Sequence, residues 1–87
     1  PAVYAALIAL GGKYDQGERS VEALRAAAAR VVAAEPSMTL DYLSLASAID
    51  GREMSGDEKL RGAEEPTLAS IAVKLGTTRL IDNVVLE

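Results

Sequence analysis

TLASIAVKLGTTRLIDNVVLE, residues 67–87, is the stretch that decides the fold. Two apolar runs rich in β-branched side chains flank Gly76 and Thr77, and glycine supplies the positive φ that a type II′ turn needs at its first central position. The stretch therefore predicts a β-hairpin with strands over about 67–75 and 78–86.

The turn also predicts which side chains share a face of the hairpin. With two residues in the turn, Leu75 pairs with Thr78 and Val73 with Leu80, and side chains then alternate between the two faces. Asp82 falls on the face that should meet the core, where a carboxylate needs hydrogen-bond donors or a cation. Otherwise the register differs or the strand contains a bulge. The predicted core face consists of Ala69, Ile71, Val73, Leu75, Leu80, Val84 and Leu86.

Two helices precede the hairpin. Pro1 suits the first turn of a helix, and apolar residues at helical spacing predict this helix over about 1–14. Ser20 is a suitable N-cap for a second helix over about 20–35, which Pro36 terminates. The apolar stripe of the second helix, expected to face the sheet, consists of Val21, Leu24, Ala28, Val31 and Val32.

A further strand is predicted over about 39–46. Leu40 and Tyr42 are assigned to one face and Leu43 and Leu45 to the other, so we expect both faces to be partly covered and the strand to be central. The order of elements gives an α+β fold. It is a small two-layer domain in which a three-stranded antiparallel sheet packs against two main helices.

Residues 47–66 form a predicted acidic loop with six acidic and three basic side chains. The loop thus accounts for −3 of the chain's formal net charge of −4. At about twenty residues it is longer than most connections in compact domains. We therefore expect it to be mobile, to carry a helical turn near residues 57–61, or to be held by a partner.

The composition limits the chemistry available to the chain. Its 87 residues make one small domain. The absence of Cys and His excludes a disulfide framework, thiolate zinc sites and the usual general base. The negative charge and the lack of a Lys/Arg stripe argue against nucleic acids and anionic membranes. No apolar run approaches eighteen residues, and a cytoplasmic location is expected.

Four side chains of the hairpin are candidates for ligand contact. Lys74 and Arg79 lie beside the turn, where they could attract a phosphate or carboxylate, but solvated strand-end cations are favoured because two exposed cations form no pocket. Asp82 and Asn83 could orient a ligand or pair with Arg79, but a hydrogen-bond network that anchors a bulge or loop is favoured. Asp82 oxygens bonded only to backbone amides would exclude the ligand-binding hypothesis.

Two other patterns are weaker candidates. The acids of the loop could bind Mg²⁺, but a flexible solvated loop is favoured because hard cations need converging oxygens on a rigid frame. Residues 11–13, Gly-Gly-Lys, follow a helix and lack the spacing and the Ser or Thr of a phosphate-binding loop. The candidate acids are Asp57, Glu58, Glu64 and Glu65.

The three tyrosines are the only aromatic residues. Tyr4 and Tyr42 are predicted to pack in the core with their hydroxyls at its edge, and this structural role is favoured over ligand binding for both and for Tyr14. The chain itself is therefore predicted to contain no catalytic, cofactor-binding or metal-binding residue.

KLGTTRLIDN, residues 74–83, resembles the end of pantothenate synthetases, the family also called pantoate–β-alanine ligases. Three further stretches resemble the family in the same order: VYAAL at 3–7, GER at 17–19 and LDYL at 40–43. Together they span residues 3–83 of the chain and resemble the small C-terminal domain of these enzymes. The loop at 47–66 departs from the family by its length, so the resemblance assigns it no role.

The resemblance implies a function for a longer parent protein. Members of this family join pantoate to β-alanine after ATP has activated the pantoate carboxylate as a pantoyl adenylate. Their N-terminal nucleotide-binding domain, expected upstream of Pro1, holds ATP, Mg²⁺ and pantoate. Residues 1–87 would then form a C-terminal lid domain that partners this N-terminal domain and is inactive alone.

A free-standing α+β interaction module without catalysis is the alternative hypothesis. Such a module would dock a partner through the mixed face of the hairpin or through the acidic loop. A subsidiary expectation is that the isolated chain self-associates through the surface that would otherwise face the other domain.

Overall fold

A computed structural model describes residues 2–87 of the chain. Pro1, predicted to lie in the first turn of a helix, is outside the described residues. The fold is the predicted small α+β domain, with two helices and a three-stranded antiparallel sheet. The elements are helices α1 (Ala2–Asp15) and α2 (Val21–Ala33), strands β1 (Met38–Ser47), β2 (Thr67–Leu75) and β3 (Thr78–Leu86), and a 3₁₀ turn at Gly62–Glu64.

The sheet has the strand order β1-β2-β3, with both pairs antiparallel. The prediction that the first strand is central is wrong. Strand β2 occupies the centre because it belongs to the hairpin and also pairs with β1, which leaves β1 and β3 at the two edges.

The hairpin has the register predicted from its turn. Leu75 pairs with Thr78 and Val73 with Leu80. Gly76 has a φ of 63°, and no residue other than glycine has a positive φ within residues 2–87. A positive φ at the first central residue only is the signature of a type II′ turn.

We expect alanine substitutions at a turn glycine and at a helix glycine to change the free energy of unfolding in opposite directions. Gly76→Ala should lower the free energy of unfolding by roughly 1–2 kcal/mol, because the left-handed region is strained for a residue with a Cβ. Gly11→Ala should raise it by about 1 kcal/mol, because Gly11 lies inside α1 and a Cβ there meets no atom within 4 Å. Urea unfolding of both variants measures the two changes. A destabilising Gly11→Ala would contradict the prediction.

A bulge in β1 changes the faces predicted for this strand. Leu40 pairs with Val73 and Tyr42 with Ala72, so Asp41 is an extra residue between the two pairs. Because a bulge reverses the alternation, Leu40 packs against the core while Tyr42 lies on the opposite face. The assignment of these two side chains to one face is therefore wrong.

Both helices pack on the same face of the sheet. Helix α1 contacts β3 and β2, and α2 contacts β1 and α1. The predicted core face of the hairpin does meet the helices, except that Leu75 is exposed at the turn. Fully buried side chains with no measurable exposure include Leu10, Val21, Leu24, Leu45, Ile71 and Val73.

Helix α2 begins as predicted and ends earlier than predicted. The Ser20 hydroxyl accepts a hydrogen bond from the Ala23 N–H at 3.2 Å, which identifies Ser20 as the N-cap. The helix ends at Ala33 instead of near residue 35, and Ala34 serves as its C-cap.

Two of the three tyrosines lie elsewhere than predicted. Tyr4 is 58% exposed on α1 and Tyr42 is 39% exposed on the sheet face opposite the helices, so neither is a core residue. Tyr14 is the buried tyrosine, and the Arg19 guanidinium carbon lies 3.8 Å from the centroid of its ring. Arg19 also donates to the Tyr14 carbonyl at 2.7 Å, so the turn at 17–19 holds the end of α1.

The acidic loop is anchored to the domain. Met54 and Leu60 are buried in the core, and the Leu60 N–H donates to the Arg19 carbonyl at 2.8 Å. The helical turn predicted at 57–61 is instead a 3₁₀ turn at Gly62–Glu64. The buried apolar side chains explain how a long connection stays on the domain without a long element of its own.

Candidate functional site

The sheet presents an open face opposite the helices. On this face Tyr42, Ala72 and Ile81 stand side by side in neighbouring strands. Ala72 has no measurable exposure, whereas Ile81 is 55% exposed and Val85, farther along β3, is 50% exposed. Exposed apolar side chains grouped on one face are typical of a surface that meets another protein or domain.

The two cations beside the hairpin turn share a carboxylate on β1. Arg79 Nε lies 2.9 Å from Asp41 Oδ2, and Lys74 Nζ lies 3.9 Å from Asp41 Oδ1. The Arg79 guanidinium also lies 5.6 Å from the centroid of the Tyr42 ring. The cations are thus neither free strand-end charges nor a closed anion pocket.

These contacts give Asp41, Lys74 and Arg79 a structural role. The ion pairs cross all three strands and fix the bulged residue of β1 to the hairpin. All three side chains are partly exposed, so each pair contributes at most about 1 kcal/mol to stability. Lys74 and Arg79, which belong to the stretch with much of the family resemblance, therefore connect the hairpin to β1.

Asp82 lies on the helix-facing side of β3, opposite Ile71, as the register predicted. The carboxylate is half-buried and borders a groove of about 510 Å³ between α1 and β3. Among the hydrogen bonds within residues 2–87, its Oδ1 accepts one, from the Asn83 backbone N–H at 2.8 Å. Because this partner is a backbone amide, the contact favours a structural role for Asp82 over ligand binding. The proposed pair with Arg79 is wrong, since Arg79 contacts Asp41.

The groove beside Asp82 explains how a carboxylate is tolerated on the core side of a strand. Gly11 and Gly12 of α1 line it, and a Cβ at either position would meet no atom within 4 Å. The missing side chains leave space through which solvent reaches the carboxylate, so its charge is not transferred into an apolar interior.

Arg52 organises the acidic loop. Its guanidinium donates to both oxygens of Glu58 at 3.0 Å and to Glu65 Oε1 at 3.5 Å. With Glu64, which accepts from Arg61 at 3.2 Å, three of the four acids considered as Mg²⁺ ligands thus bind a cation of the chain itself. No group of three or more acidic side chains that could hold a metal ion occurs in the described part of the chain. The ion pairs thus favour a structural role for these acids over Mg²⁺ binding.

The pKa of Glu58 makes the Arg52 contact testable. The side-chain hydrogen bond from Arg52, followed by the Ser55 backbone N–H, lowers the pKa of Glu58 from its ordinary value of 4.5. A lowered pKa contributes stability above pH 4.5 that is lost as the pH falls through the folded-state value. We expect the stability difference between the wild type and Glu58→Gln to be present at neutral pH and to vanish in this acidic window.

An NMR titration of the Glu58 side chain measures the same contact directly. In Arg52→Gln the pKa of Glu58 should rise toward its ordinary value, because the hydrogen bond from Arg52, the largest cause of the lowered pKa, is removed. A Glu58 titration curve that is identical in the two proteins would contradict the assignment of Arg52 as its partner.

Sequence reasoning missed Asp41 and Arg52 as central residues of these clusters. Asp41 becomes the common partner of two cations only because the bulge places it between strand pairs, and a bulge has no clear sequence signal here. Arg52 was one of three bases in a loop of mixed charge, and only the path of the loop selects its partners.

The fold defines the class of the protein as a small two-layer α+β domain with helices on one face of an open sheet. The Pantoate-beta-alanine ligase family matches residues 1–85, and the chain belongs to this family.

The relatives are longer than this chain. A pantothenate synthetase of Roseiflexus sp. (strain RS-1) is 45% identical over 85 residues, which are 98% of this chain and 28% of that protein. A bifunctional pantoate ligase/cytidylate kinase of Synechocystis sp. is 40% identical over 85 residues, 98% of this chain and 16% of that protein.

Comparison of the fold with solved structures also finds pantothenate synthetases. A crystal structure of pantothenate synthetase from Thermus thermophilus superimposes with a TM-score of 0.77 at 25% sequence identity. The match covers 97% of this chain and 28% of that one. The chain thus spans a little over a quarter of the length of these pantothenate synthetases. No helix in residues 2–87 has the length and apolar character needed to cross a membrane.

Proposed function

We propose that the chain is the C-terminal lid domain of an ATP-dependent ligase that joins pantoate to β-alanine. The observation that carries this proposal is a family match over nearly the whole chain that spans only 28% of a pantothenate synthetase. The reaction would pass through a pantoyl adenylate with release of AMP, in a cytoplasmic enzyme. Its catalytic residues, ATP and Mg²⁺ would belong to an N-terminal nucleotide-binding domain, the partner of this one.

The reason for a lid is the reactivity of the intermediate. A pantoyl adenylate is a mixed anhydride, which water hydrolyses if the site stays open between the two half-reactions. Closing a domain over such a site excludes water and commits the intermediate to attack by the amine.

The open face of the sheet is the surface best suited to closure. Its exposed apolar side chains Tyr42, Ile81 and Val85 are not covered by the helices, which occupy the other face. A sheet also positions a closing surface better than a loop does, because each of these side chains is held beside a cross-strand neighbour on β2.

The gene upstream of residue 1 provides the first test. We expect it to encode a nucleotide-binding domain in the same reading frame. An assay of ATP, pantoate and β-alanine should then show pantothenate synthesis by the parent enzyme and none by residues 1–87 alone. If no such domain is encoded, the lid proposal fails and the open face belongs to a free-standing interaction module.

A further inference from the structure

The two edges of the sheet differ in how they are covered. Along β1 the acidic loop supplies partners: the Met54 N–H donates to the Leu45 carbonyl at 2.8 Å, and the Leu45 N–H donates to a Glu53 carboxylate oxygen at 3.1 Å. Along β3 no strand or bridge of residues 2–87 pairs with the outer edge. The sheet therefore has one protected edge and one open edge.

The register shows which groups the open edge presents. In a hairpin with a two-residue turn the flanking residues form a hydrogen-bonded pair, here Leu75 and Thr78, and such pairs recur at every second residue. Even-numbered residues of β3 thus bond to β2. The backbone N–H and C=O groups that point outward belong to Arg79, Ile81, Asn83 and Val85.

Asp82 acts on the middle of this edge. Its carboxylate accepts a hydrogen bond from the outward N–H of Asn83 at 2.8 Å, so the central donor of the edge is occupied within the chain. Its charge also lies on the helix side of an edge strand, and inward-pointing charges on edge strands are a known means of preventing pairing between sheets.

We propose that the outer edge of β3 is a strand-pairing surface for a second copy of this chain, and that Asp82 keeps it unpaired. Antiparallel pairing of two β3 strands about Asn83 would place Ile81 of one copy opposite Val85 of the other on the open face. The match of these exposed apolar side chains makes the edge self-complementary.

The same arrangement explains why the wild-type edge resists pairing. In this register the two Asp82 residues become diagonal neighbours on the helix side of the joined sheet, a position in which backbones lie about 7–8 Å apart and long side chains can reach each other. Pairing would also cover the groove through which solvent reaches each carboxylate. Like charges brought together with reduced solvation oppose association, and each Asn83 N–H would have to leave its carboxylate.

The test compares the association of Asp82→Val, Asp82→Asn and the wild-type 87-residue chain by sedimentation equilibrium. Asp82→Val should dimerise at least about tenfold more tightly than the wild type, a difference of roughly 1.4 kcal/mol. Asp82→Asn should show a smaller increase in the same direction, since it removes the charge and keeps a polar group. Because it is nearly isosteric, it provides the result if Asp82→Val fails to fold.

Asp15→Asn is the matched control, because Asp15 lines the same groove from α1 and lies on no strand. It should raise association less than Asp82→Asn does, because the Asp15 carboxylate does not accept the Asn83 N–H and lies on no paired strand. Hydrogen exchange of the Asp82→Val dimer should show new protection at the Ile81, Asn83 and Val85 amides. Monomeric Asp82 variants, an equal increase in association in Asp15→Asn, or a dimer without protection at these amides would overturn the proposal.

Discussion

Replacing Ile71 by Ala should lower the free energy of unfolding by about 3 kcal/mol, within the range of roughly 2–5 kcal/mol for buried aliphatic truncations. Ile71 has no measurable exposure and lies in the central strand, where it pairs with Leu43 on one side and Asp82 on the other. Truncation leaves a cavity between the sheet and the helices that neighbours in two strands cannot easily fill.

The effect should be large relative to the total stability of the domain. At roughly 0.05–0.15 kcal/mol per residue, 87 residues give a free energy of unfolding of about 4–13 kcal/mol. Because the core contains no Phe or Trp, small aliphatic side chains supply most of its buried area. Ile71→Ala therefore removes a large part of the available stability, which chemical denaturation measures directly.

Ile81→Ala is the matched control on the same hairpin. Ile81 lies on the open face and is 55% exposed, so the same truncation should lower stability by about 1 kcal/mol or less. Equal losses for the two variants would contradict the assignment of the two faces of the sheet.

The hairpin could be predicted from the sequence because local and tertiary signals agree there. The turn glycine fixes the register, and the register fixes the face of every side chain, including the unfavourable position of Asp82. The strands observed at Thr67–Leu75 and Thr78–Leu86 have the bounds that the turn and the apolar runs imply.

The position and faces of β1 could not be predicted in the same way. Uninterrupted alternation along residues 39–46 predicts the same face for Leu40 and Tyr42, whereas the bulge at Asp41 places Tyr42 on the opposite face. The central position predicted for this strand depended on apolar residues on both faces, but the bulge places Leu40, Leu43 and Leu45 on the same face. Within residues 2–87, the loop at 47–66, and not a fourth strand, covers the outer edge of β1. Met54 and Leu60, the two apolar anchors of that loop, stand alone in a polar stretch.

The charged residues of the candidate site could be predicted from the sequence, but their contact partners could not. Lys74, Arg79 and Asp82 were identified as charged residues of the hairpin, but their partners depend on the path of β1 and on the groove beside α1. Ion pairs between distant segments leave no periodic signal in one sequence. The open face of the sheet likewise follows only from both helices packing on one side.

Placing a charge on the open face of the sheet should uncouple adenylate formation from pantothenate formation in the proposed parent ligase. In the full-length enzyme we expect Ile81→Glu to lower kcat/KM for pantothenate synthesis by at least about tenfold, which corresponds to about 1.4 kcal/mol of transition-state stabilisation. A charge on the closing surface must be desolvated when the domain closes, so the closed state is less populated and water reaches the adenylate more often.

The ratio of AMP to pantothenate separates this effect from a general loss of activity. An enzyme that closes properly should release one AMP for each pantothenate, whereas hydrolysis of the adenylate releases AMP without product. We expect the ratio to rise clearly above one in Ile81→Glu. Both products can be quantified in one chromatographic run.

Ile8→Glu provides a close control, because Ile8 has the same 55% exposure as Ile81 but lies on α1, where it lines the groove beside Asp82 and not the open face of the sheet. Both variants replace an equally exposed isoleucine by the same charged residue. Ile8→Glu should leave kcat/KM and the ratio of AMP to pantothenate near their wild-type values. If Ile8→Glu uncouples the enzyme and Ile81→Glu does not, the helix layer is the closing surface and the assignment of the open sheet face is wrong. If neither variant changes the ratio while both fold, closure of this domain does not protect the intermediate, because a surface that excludes water from the adenylate must be sensitive to a buried charge.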